Sequence, residues 1–233
     1  MDKELQRVRI KIFIGVLLFL VAVAVGYLAY RDYILPAMND EVIVEKPKKL
    51  INAQEKIIKL ASASDLISEA QKEISRNFGP GDFYVFLFSQ DKEGLEHYLS
   101  GQEFFVSSGF HLPSRLSLTI RNSNLGAVGS IVAGTKNSPF LIFEVASYDD
   151  AFAGALEWEK NMPSELMSFF PDLKNAVERE FKDVVIKNQD ARVFESGDGK
   201  IFYTFFNKKL LIITGSEKIL EDIIKRYEIF PPN

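Results

Sequence analysis

The chain has no cysteine. That absence excludes a disulfide framework, a thiol nucleophile, cysteine-ligated zinc and iron–sulfur clusters together. Histidine is nearly as scarce. His97 and His111 are the only two, with no second histidine at helical spacing and no H-E-x-x-H. A basic excess is missing as well: 28 Lys and Arg against 32 Asp and Glu leave a formal charge of −4. Such a balance suits general nucleic-acid binding poorly. There is no G-x-S-x-G elbow and no G-x-G-x-x-G phosphate cradle. What remains is a globular composition, 47% hydrophobic and rich in phenylalanine, with 20 of them.

One long apolar run stands out. Ile12 to Tyr30 is 19 residues without a charge. As a helix at ~1.5 Å per residue it would span roughly 30 Å, the thickness of a hydrocarbon core. Tyr27, Tyr30 and Tyr33 gather at its C-terminal end, where amphipathic rings favour the headgroup layer. Lys3, Arg7, Arg9 and Lys11 precede it and only Arg31 follows closely. This bias predicts a cytoplasmic tail over 1–11, a transmembrane helix over 12–35 and the bulk of the chain outside the plasma membrane. The run is long for a cleaved signal peptide, and Tyr-Leu-Ala-Tyr-Arg-Asp is a poor cleavage context, so the segment reads as an uncleaved anchor.

Pro36, Pro47 and a cluster of charges mark residues 36–54 as a tether. The remainder, 55–229, reads as one α+β region with an optional sub-boundary near 138. Strands are expected at Lys56–Leu60, Phe83–Phe88, Leu125–Val132, Phe140–Val145, Lys182–Lys187, Asp190–Glu195, Lys200–Phe206 and Lys209–Thr214. Helices are expected at Asp65–Asn77, Asp149–Lys160, Ser164–Phe170, Asp172–Phe181 and Glu217–Tyr227. A capping pattern recurs at Ser62-x-x-Asp65, Ser147-x-x-Asp150 and Thr214-x-x-Glu217, each where a strand turns into a helix. The expected fold is an antiparallel sheet with helices on one face. Two ferredoxin-like halves and a single irregular α+β domain both fit.

The search for chemistry yields no catalytic, cofactor-binding or metal-binding residue. His97 reads as part of a solvent-facing helical turn and His111 as a loop residue. Ser89-x-x-Lys92 lacks the companion motifs of the serine penicillin-binding enzymes. Asp198 sits in Ser196-Gly-Asp-Gly199, a hairpin turn without the ligand pattern of a calcium loop. Gly126-x-x-Gly129 reads as a strand that needs close packing. The near-neighbour acids Asp149/Asp150, Glu157/Glu159, Glu178/Glu180 and Glu221/Asp222 point to different sides of a helix and read as caps or solvated faces. Trp158 reads as a packing residue. The pairs Phe104-Phe105, Phe169-Phe170 and Phe205-Phe206 leave two readings open, burial on two sides or an apolar patch outside.

The stretch from Phe140 to Glu159, with Lys182-Asp-Val-Val-Ile-Lys-Asn-Gln-Asp-Ala-Arg-Val and Leu211-Ile-Ile-Thr downstream, resembles a group of uncharacterised single-pass membrane-anchored proteins of reduced-genome candidate-phyla bacteria. The resemblance implies a bacterial envelope setting and an extracytoplasmic domain. It carries over no activity, site residue or cofactor. The layout of short tail, one helix and outer domain is also similar to that of platform proteins in type IV pili and type II secretion. The expectation is a non-enzymatic envelope protein whose partners are the membrane and other proteins, without nucleic acid or cofactor. The alternative is an extracytoplasmic ligand-binding or sensing domain.

Overall fold

In a computed structural model the chain divides into two compact units, 1–43 and 44–233. The structure describes residues 46–130, 136–173, 180–197 and 199–229, together with Val23 and Tyr27. Val23 and Tyr27 are helical and exposed. The rest of the expected tail and membrane span, and the tether up to residue 45, lie outside the described residues. Among the described residues, no helix is long and apolar enough to cross a membrane.

The second unit is α+β, built on one large mixed sheet. Its strands are β1 (Gln54–Leu60), β2 (Phe83–Lys92), β3 (Leu95–Tyr98), β4 (Ile120–Val128), β5 (Ser138–Val145), β6 (Lys182–Ile186), β7 (Gln189–Glu195), β8 (Lys200–Phe206) and β9 (Leu210–Thr214). The order across the sheet is β1-β2-β4-β5-β9-β8-β7-β6, with β3 beside β2. The helices are α1 (Leu66–Ile74), α2 (Gly101–Ser108), α3 (Ser114–Ser117), α4 (Tyr148–Trp158), α5 (Met162–Leu166) and α6 (Glu217–Ile229).

Three features differ from the expected antiparallel sheet with helices on one face. First, β1 runs parallel to β2. The chain makes that crossover through α1, as a parallel connection requires. Second, helices cover both faces. Leu66 and Ala70 of α1, Phe104 and Phe105 of α2, Leu116 of α3, Ala151, Ala155 and Trp158 of α4, and Met162 and Leu166 of α5 pack on one side. Ile219, Leu220, Ile223 and Ile224 of α6 pack on the other. Third, neither half is ferredoxin-like. A split β-α-β unit keeps a strand between its two parallel members, whereas β1 lies directly against β2 and β6 to β9 form an unbroken meander. The sheet also continues across Ser138, since β5 pairs with β4 on one side and β9 on the other.

The tether is partly structural. Leu50, Ile51 and Ala53 are buried on the α6 side against Phe83, Val85 and Leu87 of β2. Asn124 of β4 fixes this strap: its Oδ1 accepts from the Leu50 amide at 2.7 Å and its Nδ2 donates to the Lys48 carbonyl at 3.1 Å. Arg226 of α6 donates to the Asn52 carbonyl at 3.2 Å and lies 4.0 Å above the Phe83 ring. The expected boundary at 55 therefore falls inside the packed region.

Local sequence explains most elements. Ser62 and Asp65 close a capping box before α1, and Ser147 caps α4 by accepting from the Asp150 amide. The β6–β7 and β8–β9 hairpins turn on Lys187-Asn188 and Asn207-Lys208, all four with positive φ. Such turns match the twist of the flanking strands. Gly126 of β4 is required because a side chain there would collide with the Phe140 ring and the Tyr84 carbonyl. The expected helix at 172–181 is not formed as such. A short 3-10 turn covers Pro171–Leu173, residues 174–179 lie outside the described residues, and Phe181 leads into β6.

Candidate interaction surface

The ionisable clusters among the described residues are engaged in holding elements together. Glu159, just past α4, accepts a 2.6 Å bond from the Tyr203 hydroxyl and is gripped by the Arg192 guanidinium. Arg192 also donates to Asp183 at 2.6 Å. Burial, then the bond to Glu159, pushes the Tyr203 phenol well above its usual range, and Glu159 raises Arg192 further. Both shifts favour the protonated states that hold the cluster. The expectation that Glu159 lies on a solvated face is thus corrected: it tethers α4 to β7 and β8.

Two further acids act similarly. Glu165 accepts from the Trp158 indole at 2.8 Å and from the His111 amide at 3.0 Å. Trp158 is fully buried, as its packing reading implies. Glu103 of α2 accepts from the Ser100 amide, His97 and Lys92. Burial pushes the Glu103 carboxyl up, but the Ser100 amide, His97, Lys92 and the Ser100 hydroxyl outweigh it and bring it down to about 2. Ser100 and Glu103 close another capping box, visible in the sequence as Ser-x-x-Glu but not among the expected caps.

His97 lies on β3 rather than in a helical turn, since Leu95–Tyr98 pairs antiparallel with β2. His111 is a loop residue with its ring exposed. Ser89 and Lys92 point to different partners, Glu96 and Glu103 respectively, and make no Ser–Lys dyad. Among the described residues there is no group of three or more His, Asp or Glu side chains that could hold a metal ion. Asp198 and Glu178 lie outside the described residues. Both phenylalanines of 104–105 and of 169–170 are buried, and Phe206 is buried against α6. Phe205 alone of the three pairs is half exposed.

Phe205 belongs to the feature that singles out one corner of the unit. Along α4, Tyr148, Phe152 and Leu156 recur every four residues and form a stripe. Tyr148 and Phe152 stack at 5.7 Å, and the Phe205 ring lies 5.5 Å from one and 5.9 Å from the other. Among the described residues no helix packs on this face beyond Phe205. Val185 of β6 pairs with Asp190 of β7, and the β7–β8 register carried one residue further sets Asp190 beside Phe205. Asp183 and Val185 lie on this face, because Asp183 meets Arg192 and Arg192 meets Glu159 below α4. Val185 is 70% exposed and Leu156 is 39% exposed. The corner thus joins a half-exposed aromatic cluster to an uncovered piece of sheet.

It also ends in an open edge. Among the described residues β6 is the last strand of the sheet and pairs with β7 only. The two-residue turn makes Ile186 and Gln189 a hydrogen-bonded pair, so bonding alternates to Val184 and Lys182. The N–H and C=O groups of Asp183 and Val185 therefore face outward. The opposite edge is better guarded. Glu55 of β1 is held by Lys46 and Lys49, Lys56 pairs with Glu73, and Lys59 pairs with Glu96. Charged side chains of this kind blunt strand addition.

Two clefts open away from the corner, at the other ends of the strands. One of about 440 Å³ runs between α6 and the strand ends at Phe83 and Val128. The other, of about 1130 Å³, opens between the end of α1 and the 168–173 segment. Its rim carries Arg76, Lys136 and Lys200 against Asp172. Arg76 is paired with Glu73 and Lys200 with Glu195. Compared with known proteins, the chain matches no family model, no curated protein and no solved structure.

Proposed function

We propose that this chain is a non-enzymatic, single-pass membrane-anchored envelope protein whose outer domain works by binding other proteins. In this reading residues 1–11 are cytoplasmic, 12–35 span the plasma membrane, and the α+β unit lies outside. A pilus, secretion or division assembly is the setting that suits this layout. The charge-free run from Ile12 to Tyr30 and the basic residues before it support the anchor. The observation that carries the binding role is the uncovered corner, where exposed apolar side chains meet an unpaired strand edge. Large apolar patches and open edges are features that soluble surfaces otherwise avoid.

The test is affinity capture after crosslinking in intact cells, comparing the full chain with residues 1–54 alone. A stoichiometric protein recovered only with the full chain is the expected result. Recovery of the same set from both would remove the binding role. A second reading, an extracytoplasmic ligand-binding or sensing domain, is favoured by the cleft of about 1130 Å³ with its polar and apolar lining. It requires a small ligand that raises the melting temperature of the full chain, and that the variant Lys136→Ala weakens the effect.

A further inference from the structure

We infer that the β6 edge is a site of self-association, pairing antiparallel with β6 of a second copy about a two-fold axis through Val185. This rests on the reading that the domain works through protein contacts, and adds which surface does so and what sits on it. The argument begins with the edge itself. The outward N–H and C=O groups belong to Asp183 and Val185. A strand added there must bond to odd-numbered residues, so a symmetric pair with its axis through an odd residue is directly hydrogen-bonded.

The charges then select the axis. Asp183 and Lys187 stand two residues on either side of Val185. With the axis at Val185, Val185 faces its own equivalent and Val184 faces Ile186, while Asp183 of each copy comes beside Lys187, the first turn residue of the other. The pairs within the strands are then apolar, and the charges nearest to them, Asp183 and Lys187, are opposite in sign. An axis at Asp183 would set two carboxylates face to face, and an axis at Val184 would set each Asp183 against Val185. Like charges placed opposite one another destabilise a strand pair. An isologous interface demands this self-complementarity, because the same patch supplies both halves.

The exposures agree with the assignment. The Asp183 side chain is 87% exposed even while it accepts from Arg192, so it has accessible surface for a second cation. Val185 projects on the same face as Phe205 and the α4 stripe. Pairing two edges would continue that face across the axis and bring the two uncovered corners side by side. The apolar area at the corner would then be shielded from water by its symmetry mate, which a single copy leaves exposed.

The absence of cysteine makes the test direct. The full-length chain carrying Val185→Cys is oxidised in native membranes and run without reductant. Hydrogen-bonded antiparallel partners lie about 5.5 Å apart at Cα, within disulfide reach. A disulfide-linked dimer of two chains is expected, against none for Val106→Cys, a still more exposed position on α2. The register is read with two further chains. Asp183→Cys and Lys187→Cys should each stay monomeric, since identical positions would lie roughly 13 Å apart at ~3.3 Å per residue. Co-expressed, they should link to each other. Self-linking of Asp183→Cys would overturn the axis at Val185. No dimer from Val185→Cys, or a disulfide-independent adduct of that edge with a different protein, would overturn self-pairing. The latter result would leave the general binding role standing.

Discussion

Glu159 stands between a phenol and a guanidinium; removing it would leave the phenol without its acceptor and the guanidinium with only Asp183 and the Phe181 carbonyl. The chain neighbours of Glu159 on α4 do not reveal this, because Arg192 and Tyr203 lie 33 and 44 residues downstream. From sequence it looks like any other acid on a helix. We predict that Glu159→Ala lowers stability by about 2–4 kcal/mol, since it leaves partly buried donors unpaired. Tyr203→Phe, which removes one bond and leaves the ion pair intact, should cost only about 1 kcal/mol. Urea unfolding of the two variants beside the parent checks the ratio. Glu103 supplies a pH signature instead. Its carboxyl ordinarily titrates at 4.5 and is held at about 2 in the fold. A depressed acid stabilises above its unfolded value and loses that contribution as pH falls towards its folded value. Stability contributed by Glu103 should therefore be complete above pH 4.5 and decay between 4.5 and about 2. Thermal melts across that window should show a shallower acid limb for Glu103→Gln. The Ser-x-x-Glu spacing made this cap legible in principle, whereas the His97 and Lys92 contacts depend on the β2–β3 pairing.

At the scale of elements, strands announce themselves more clearly than short helices. Phe83–Phe88, Phe140–Val145 and the three strands from Asp190 onward read correctly because their apolar runs end in turn-forming residues. Strand β3 and helices α2 and α3 were not legible: each is eight residues or fewer, too short to establish a period. The amphipathic pattern of α6 shows that one side is buried, but not against which face of the sheet. The strap reads as a tether because Lys46, Lys48 and Lys49 dominate its composition, while Leu50 and Ile51 carry its packing. Two variants probe these junctions. Leu50→Ala should cost about 2–4 kcal/mol, as a fully buried leucine on the second core. A side chain at Gly154 would lie 2.5 Å from the Leu116 amide nitrogen, where α3 crosses α4. Gly154→Ala should therefore destabilise by about 1–3 kcal/mol despite alanine's better helix propensity. Chemical denaturation measures both.

For the whole molecule, the pairing of β5 with β9 joins the two halves of the sheet, and strands so far apart in sequence leave no local mark of their adjacency. The same holds for the corner. Its parts come from α4, β6 and β8, and only the phenylalanine pair at 205–206 hinted at it beforehand. The two edges of the unit differ: ion pairs brace β1 along its length, whereas at β6 a single pair, Asp183–Arg192, stands beside the exposed Val185. That asymmetry is the basis for assigning partner binding to one side. The most direct measurement is site-specific photo-crosslinking in living cells, with benzoylphenylalanine placed singly at Val185, Leu156, Val106 and Leu118 of the full-length chain. All four are exposed apolar positions, so exposure alone does not distinguish them. The account predicts protein adducts from Val185 and Leu156 and none from Val106 or Leu118. Equal adducts at all four, or none at Val185 and Leu156, would contradict it.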